Sequence, residues 1–194
     1  LYYDVEKPKA NSETASLLKN QVYKSWRKGI SPRRFDHVNI HTTNDVSESY
    51  NFLTEVLGFK MREYLSNDDG ILAGWLSVTP LVHDVALIKK EVLPTPARLH
   101  HISYWLNDSQ DILRAADILK ENGLQFIGPG KHGVSQAIYL YVMDPGSGCR
   151  VELFSGGYLI FEPDWEPVEW TMEERALSNT YWGDTVQDKE LNNI

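Results

Sequence analysis

The stretch Phe35-Asp36-His37-Val38-Asn39-Ile40-His41 alternates apolar and polar side chains, and Leu99-His100-His101-Ile102-Ser103-Tyr104-Trp105 echoes it 64 residues later. A strand points successive side chains to opposite faces. Val38 and Ile40 then make the apolar face that meets a helix, and Phe35, His37, Asn39 and His41 look the other way. In the echo Ile102, Tyr104 and Leu106 face the helix. His101, Ser103 and Trp105 share the opposite face, and His100 falls on the helix side. The repeat offset lays His101 on His37.

Working outward, each of these strands opens the same order of elements. The first copy reads as strand Phe35–Thr42, helix Asp45–Leu57 stopped by Gly58, and strands near 59–65, 71–78 and 83–89. The second reads as strand Leu99–Leu106, helix Asp108–Asn122 stopped by Gly123, and strands near 124–128, 137–142 and 149–154. Asp45 with Glu48, and Asp108 with Asp111, are polar helix starts. Val46/Tyr50/Leu53/Leu57 and Ile112/Ala115/Leu119 are the apolar stripes behind them. Pro94 and Pro96 punctuate the junction. The reading is two βαβββ repeats, 34–90 and 98–156, in an α+β domain. They pack together because neither alone buries both faces of its sheet.

The flanks differ from this core. The chain opens Leu-Tyr-Tyr-Asp-Val-Glu without Met, like the end of a strand already under way. Ser12–Lys28 reads as a helix on Leu18, Val22 and Trp26, capped by Ser12 and ended by Gly29 ahead of Ser31-Pro32. Residues 1–33 are thus expected to be the end of a preceding domain and a linker helix. Residues 157–194, with Trp165, Trp170, Tyr181 and Trp182, are expected to form an arm over the domain, frayed from Gln187 to Ile194.

Composition narrows the function classes. A formal charge of −8 offers no basic stripe for nucleic acid. No apolar run reaches the ~20 residues of a membrane span, and no secretory signal opens the chain. The single Cys149 cannot form an internal disulfide, which suits a reducing cytoplasm.

In Arg150-Val151-Glu152-Leu153-Phe154, Val151 and Leu153 face the core, sending Glu152 to the side of His37 and His101. The matching Val85-Ala86-Leu87-Ile88 places Ala86 at the equivalent point of the first repeat. Ile138, Leu140 and Val142 face the helix and leave Tyr139 and Tyr141 on the cavity face. A carboxylate among core residues is costly unless paired or metal-bound. Two His and one carboxylate make the facial set that suits non-haem iron(II) with open positions, and Mn(II) accepts the same ligands. Spacing alone also permits satisfied core histidines, with Glu152 paired to Arg150 or Lys131.

Six ordered pieces resemble the extradiol ring-cleaving dioxygenases, in particular the catechol 2,3-dioxygenase branch of the vicinal oxygen chelate superfamily. They are Phe35-Asp36-His37, Val82-His83-Asp84-Val85-Ala86-Leu87, Arg98-Leu99-His100-His101-Ile102, Gly130-Lys131-His132-Gly133, Tyr139-Leu140-Tyr141, and Asp144-Pro145-Gly146 leading to Arg150-Val151-Glu152. The tail around Pro163–Thr171 and Tyr181-Trp182-Gly183 is similar as well. The resemblance implies a curved, barrel-like mixed sheet around a metal cavity, and a chain that holds the second, metal-bearing domain of a longer protein. It implies His37, His101 and Glu152 as ligands of Fe(II), with Mn(II) possible. His83 would be the acid–base group beside O₂, and His132 and Tyr141 would stand at the hydroxyls of a catechol. Asn39 would be a polar liner near the substrate; His41 itself reads as structural, or as a cavity liner without a chemical role. A homo-oligomer is expected.

Two departures stand out. The stretch from Asp144 to Glu152 is one residue longer than usual, which a turn bulge would absorb. Ile127 and Ser178-Asn179 stand where relatives acting on a carboxylated catechol place arginines, favouring an uncharged ring substituent. The alternatives on the same scaffold are a glyoxalase-like metalloenzyme, for which Ala86 lacks a second carboxylate, and a resistance protein that only binds small molecules.

Overall fold

Both repeats fold in the expected order. The computed structural model describes residues 9–21, 24, 29–42, 46–90 and 97–185. The first repeat comprises β1 (Arg34–Thr42), α1 (Val46–Asn51) running into a π-turn (Phe52–Val56), β2 (Lys60–Asn67), β3 (Gly70–Ser77) and β4 (Val85–Lys89). The second comprises β5 (Ala97–Trp105), α2 (Ser109–Glu121), β6 (Phe126–Lys131), β7 (Ala137–Met143) and β8 (Arg150–Gly156). The tail adds β9 (Val168–Trp170), α3 (Arg175–Asn179) and β10 (Trp182–Gly183).

One curved, unclosed mixed sheet results, in the order β10-β6-β7-β8-β5-β1-β4-β3-β2-β9. Antiparallel pairing of β1 with β5 joins the repeats at the centre, and each opening strand runs parallel to its own closing strand, β4 or β8. The tail supplies both edges, because β9 pairs with β2 and β10 with β6. Short tail strands thus cover edges that would otherwise present unpaired backbone.

The helices cover the convex side. α2 is the regular one: the Asp108 carboxylate accepts Gln110 N–H at 2.8 Å, and Gly123 beyond its end takes φ +72°. Its stripe Ile112, Ala115 and Leu119 packs on Leu106, Leu140, Val142 and Leu153. In the first repeat Val46 meets Leu76 and Leu87, with Tyr50 and Leu53 packed around them. Leu57 departs from its predicted stripe and is 50% exposed. The π-turn, where Leu57 N–H reaches Phe52 C=O five residues back at 3.3 Å, rotates it off the core. Phe59 packs in that cluster.

The expected helix over 12–28 is not formed among its described residues. Residues 9–21 run in turns, and Leu17 and Leu18 are 100% and 60% exposed. Local bonds compete with helix here: Asn11 Oδ1 accepts Thr14 N–H at 3.0 Å and Ser16 Oγ accepts Leu18 N–H at 3.1 Å. The opening strand, Val22, Trp26, Asp45, Pro94, Pro96 and the stretch from Gln187 onward lie outside the described residues. The long turn after Asp144 leaves the β7–β8 register unbroken from Ala137 to Met143. Within that turn Asp144 accepts the Gly146 and Ser147 N–H groups.

Candidate metal centre

Three side chains meet on the concave face. His37 from β1 is 2% exposed, His101 from β5 3% and Glu152 from β8 1%. Glu152 Oε2 lies 2.8 Å from His37 Nε2 and 3.3 Å from His101 Nε2, and the two imidazole nitrogens are 3.3 Å apart. Metal–ligand bonds of about 2.1 Å at right angles separate their donor atoms by about 3.0 Å, so one ion fits the triangle. Oε2 is buried without a hydrogen bond of proper geometry, which an ion would satisfy.

The electrostatics agree. Burial alone would raise Glu152, but the His101 and His37 imidazoles hold it well below the usual carboxylate range. Burial alone would lower His37, but Glu152 and Asp36 hold it up to about 9. His101 goes down, because burial outweighs its pull from Glu152. An ionised carboxylate facing two imidazole nitrogens suits a divalent cation, which would displace the proton on His37 as it binds.

The outer contacts of the two imidazoles differ. Asp36 Oδ2 accepts from His37 Nδ1 at 2.9 Å, and Arg34 holds Asp36 at 2.5 Å. His101 Nδ1 faces His100 Nδ1 at 2.8 Å, while His100 contacts Arg150 Nη1 and stacks on His41 with ring centres 4.1 Å apart. Simple alternation put His100 on the helix side; instead it lines the cavity. The cause is a bulge, since Asn39 pairs with His101 but Ile40 with Leu99, leaving His100 as the extra residue. A second irregularity between Phe35 and Val38 likewise overturns the placing of Phe35 on the cavity side. It pairs with Tyr104, meets that ring edge-on and is 51% exposed.

Around the triangle the remaining candidates gather. His83 sits in the lead-in to β4 with its ring 4.0 Å from that of His37, and burial pushes it well below the usual imidazole value. Asp84 beside it accepts Val78 N–H, Thr79 N–H and Thr79 O–H, which stiffens that turn. Asn39 is 5% exposed, with Oδ1 unbonded. The Asn179 carbonyl can only accept, so His132 donates Nδ1–H to it at 2.5 Å and turns Nε2 inward. That Nε2 lies 3.2 Å from Tyr141 Oη and 3.4 Å from Glu152 Oε1. Burial, reinforced by Glu152, keeps the Tyr141 phenol protonated. Tyr139, the other tyrosine of that face, stacks on His132 and donates to the Asp184 carbonyl at 2.5 Å. It supports the wall while Tyr141 lines the cavity.

Sequence reasoning missed Asp36 as the partner of His37, and Trp75, Phe154, Ser178 and Asn179 as cavity liners. Phe154 was within reach, two residues beyond Glu152 on one face. Asp36 had a signal in Arg34-x-Asp36-His37 against Arg98-x-His100-His101.

The chain is similar to known proteins along most of its length. Residues 34–153 match the Glyoxalase/Bleomycin resistance protein/Dioxygenase superfamily. A manganese-dependent 2,3-dihydroxybiphenyl 1,2-dioxygenase of Geobacillus genomosp. 3 is 57% identical over 186 residues, 94% of this chain and 58% of that protein. A metapyrocatechase of Geobacillus stearothermophilus is 38% identical, covering 94% of this chain and 55% of that one. The structure of homoprotocatechuate 2,3-dioxygenase from Brevibacterium fuscum, complexed with 3,4-dihydroxyphenylacetate, superposes with a TM-score of 0.72 at 31% identity, over 82% of this chain and 49% of that one. The chain spans little more than half the length of the curated relatives it matches. With its repeated βαβββ unit, it belongs to the Glyoxalase/Bleomycin resistance protein/Dioxygenase superfamily.

Proposed function

We propose that residues 34–156 form the catalytic domain of an extradiol dioxygenase, which cleaves a catechol with O₂ beside its two hydroxyls to a 2-hydroxymuconic semialdehyde. The observation that carries this is the triangle of His37 Nε2, His101 Nε2 and Glu152 Oε2, 2.8–3.3 Å on a side, opening on a cavity ringed by His83, His132 and Tyr141. His37, His101 and Glu152 would hold Fe(II) or Mn(II), and a relative named as manganese-dependent keeps the second metal in play. Bound there, the ion supplies Lewis acidity and a route for electrons between diol and O₂.

The chain's own groups do the rest. Tyr141 O–H and His132 Nε2 stand together where substrate oxygens develop charge; the phenol can donate or accept there, while Nε2, with Nδ1–H given to Asn179, accepts from a neutral ring and donates only from a protonated one. His83, packed on His37 and Phe154, is the positioned acid–base group on the O₂ side. Asn39 offers an amide to the same space. Phe154 and Trp75 exclude water with apolar surface.

Among the described residues that line the cavity, none is Lys or Arg. Ile127, 6% exposed, packs on Tyr139 and Tyr141 where a carboxylate clamp would stand. A catechol with an apolar, uncharged substituent therefore fits best. The lone Cys149 supports a reducing cytoplasm, and among the described residues no helix is long and apolar enough to cross a membrane. A homo-oligomer is part of the same proposal.

Purified protein loaded with Fe(II) or Mn(II) should consume O₂ one-for-one with catechol and turn yellow, faster with alkyl or aryl catechols than with carboxylated ones. His37→Ala should strip the metal and the O₂ uptake together. Undiminished metal content in that variant, or no uptake with any catechol, ends the reading.

A further inference from the structure

Glu63, in the middle of β2, is a buried carboxylate outside the reaction just described, 2% exposed. It lies opposite Trp75 in the β2–β3 ladder, so the two side chains share a face, and Trp75 lines the cavity. Three donors from three other segments converge on it. Ser135 N–H at 2.7 Å and Tyr158 O–H at 2.8 Å reach Oε1, and the Trp170 indole N–H at 2.7 Å reaches Oε2. A carboxylate at this depth needs such bonds in place of water.

The bonds hold one wall of the cavity. His132, Val134 and Ser135, in the loop between β6 and β7, line it. Ser135 and Gln136 take left-handed φ values of 58° and 60°, which residues other than glycine keep only where their surroundings over-determine them. The surroundings are on hand: Ser178 C=O accepts Gly133 N–H and Val134 N–H at 3.0 Å each, and Tyr158 N–H donates to Ser135 C=O at 3.3 Å. Gly133 lets the tail come so near that a Cβ there would stand 2.4 Å from the Leu177 oxygen. Trp170 ends β9 just before α3, which brings Ser178 and Asn179 over the cavity. Glu63 is thus bonded both to the loop that starts at His132 and to the tail whose Asn179 carbonyl orients His132.

We propose that Glu63 is a positioning residue for the substrate side of the cavity: it clamps the Val134–Ser135 wall and the C-terminal tail against each other, so that His132 meets the diol at a fixed place. The first repeat, which gives the ion one ligand, would then also set the wall against which the ring lies. This rests on the diol-cleaving reading above.

The test uses metal-loaded protein and 4-nitrocatechol, a coloured diol whose spectrum changes on chelation. Glu63→Gln keeps the size and one acceptor oxygen but turns an amide N–H toward a donor. Metal content should stay at the wild-type level while the dissociation constant for the dye rises about tenfold or more. KM for a cleaved catechol should rise in step, with kcat falling less. Trp170→Phe, which removes only the indole donor, should do the same in smaller measure, and it serves if Glu63→Gln fails to fold. If both variants melt earlier yet bind the dye and turn over as wild type does, Glu63 is only structural and the proposal is overturned. Wild-type protein that holds metal but neither binds the dye nor takes up O₂ would instead overturn the reading beneath it, before any variant is made.

Discussion

The two repeats share a plan and differ in workload. Both run βαβββ, and each sets its opening strand parallel to its last, so that Asn39 pairs with Ala86 just as Ser103 pairs with Glu152. Yet the first repeat brings one ligand, behind a six-residue helix broken by a π-turn, and the second brings two, behind a regular 13-residue helix. The second repeat also supplies His132 and Tyr141. Duplication gave two equivalent positions for a carboxylate, and only the second carries one. What distinguishes this site from others the same scaffold could build is therefore which of two positions holds Glu and which holds Ala.

That comparison is most open to attack at the carboxylate, where the largest effect is expected. Glu152→Ala should release the metal and cost several kcal/mol of charge stabilisation, about a thousandfold in turnover. Metal analysis of the purified variant checks the first part. Ala86→Glu in that background should return a carboxylate from the opposite flank, recovering metal while leaving turnover low, since the ion would then face His132 and Tyr141 differently. No recovery of metal at all would break the claimed equivalence of the two positions.

The helices give the next largest contrast. Leu119 is 5% exposed in the α2 core, whereas Leu57 is 50% exposed after the π-turn. Leu119→Ala should destabilise by about 2–5 kcal/mol, and Leu57→Ala by no more than about 0.5 kcal/mol. Urea titration of both, read as shifts in midpoint at constant slope, measures the difference. Equal losses would mean that the π-turn does not take Leu57 off the core.

The same irregularities mark where the sequence was and was not readable. Alternation along regular strands placed His37, His101 and Glu152 on one face, because a two-residue period survives whatever the sheet does globally. It failed for His100 and Phe35, where bulges insert a residue that leaves no trace in hydrophobic pattern. Asp108, Ile112, Ala115, Leu119 and Gly123 announced α2 because cap, stripe and stop agree. Leu18, Val22 and Trp26 announced a helix that residues 9–21 do not form, since Asn11 and Ser16 side chains bond nearby backbone N–H groups there instead. The tail strands β9 and β10 were unreadable as strands: three and two residues long, they exist only because the sheet edges at β2 and β6 offer partners. Glu63 was unreadable for a related reason, as its three donors lie 72 to 107 residues away.

The smallest expected effect sharpens the comparison at the ligands themselves. His37 and His101 sit at matching positions, but His37 leans on a carboxylate and His101 on a neutral ring. A carboxylate on Nδ1 makes the far nitrogen a stronger donor, and losing such a partner typically weakens metal binding about 10- to 100-fold. Asp36→Asn keeps an acceptor oxygen and removes only the charge, so the loss should lie near the tenfold end. His100→Gln also keeps a hydrogen-bonding group but removes no formal charge, and should cost less. Competition against a chromophoric chelator gives both affinities on one scale. If the His100 variant loses as much as the Asp36 variant, charge on Asp36 is not what separates the two imidazoles, and the bulge that aims His100 matters as much as the carboxylate it replaces.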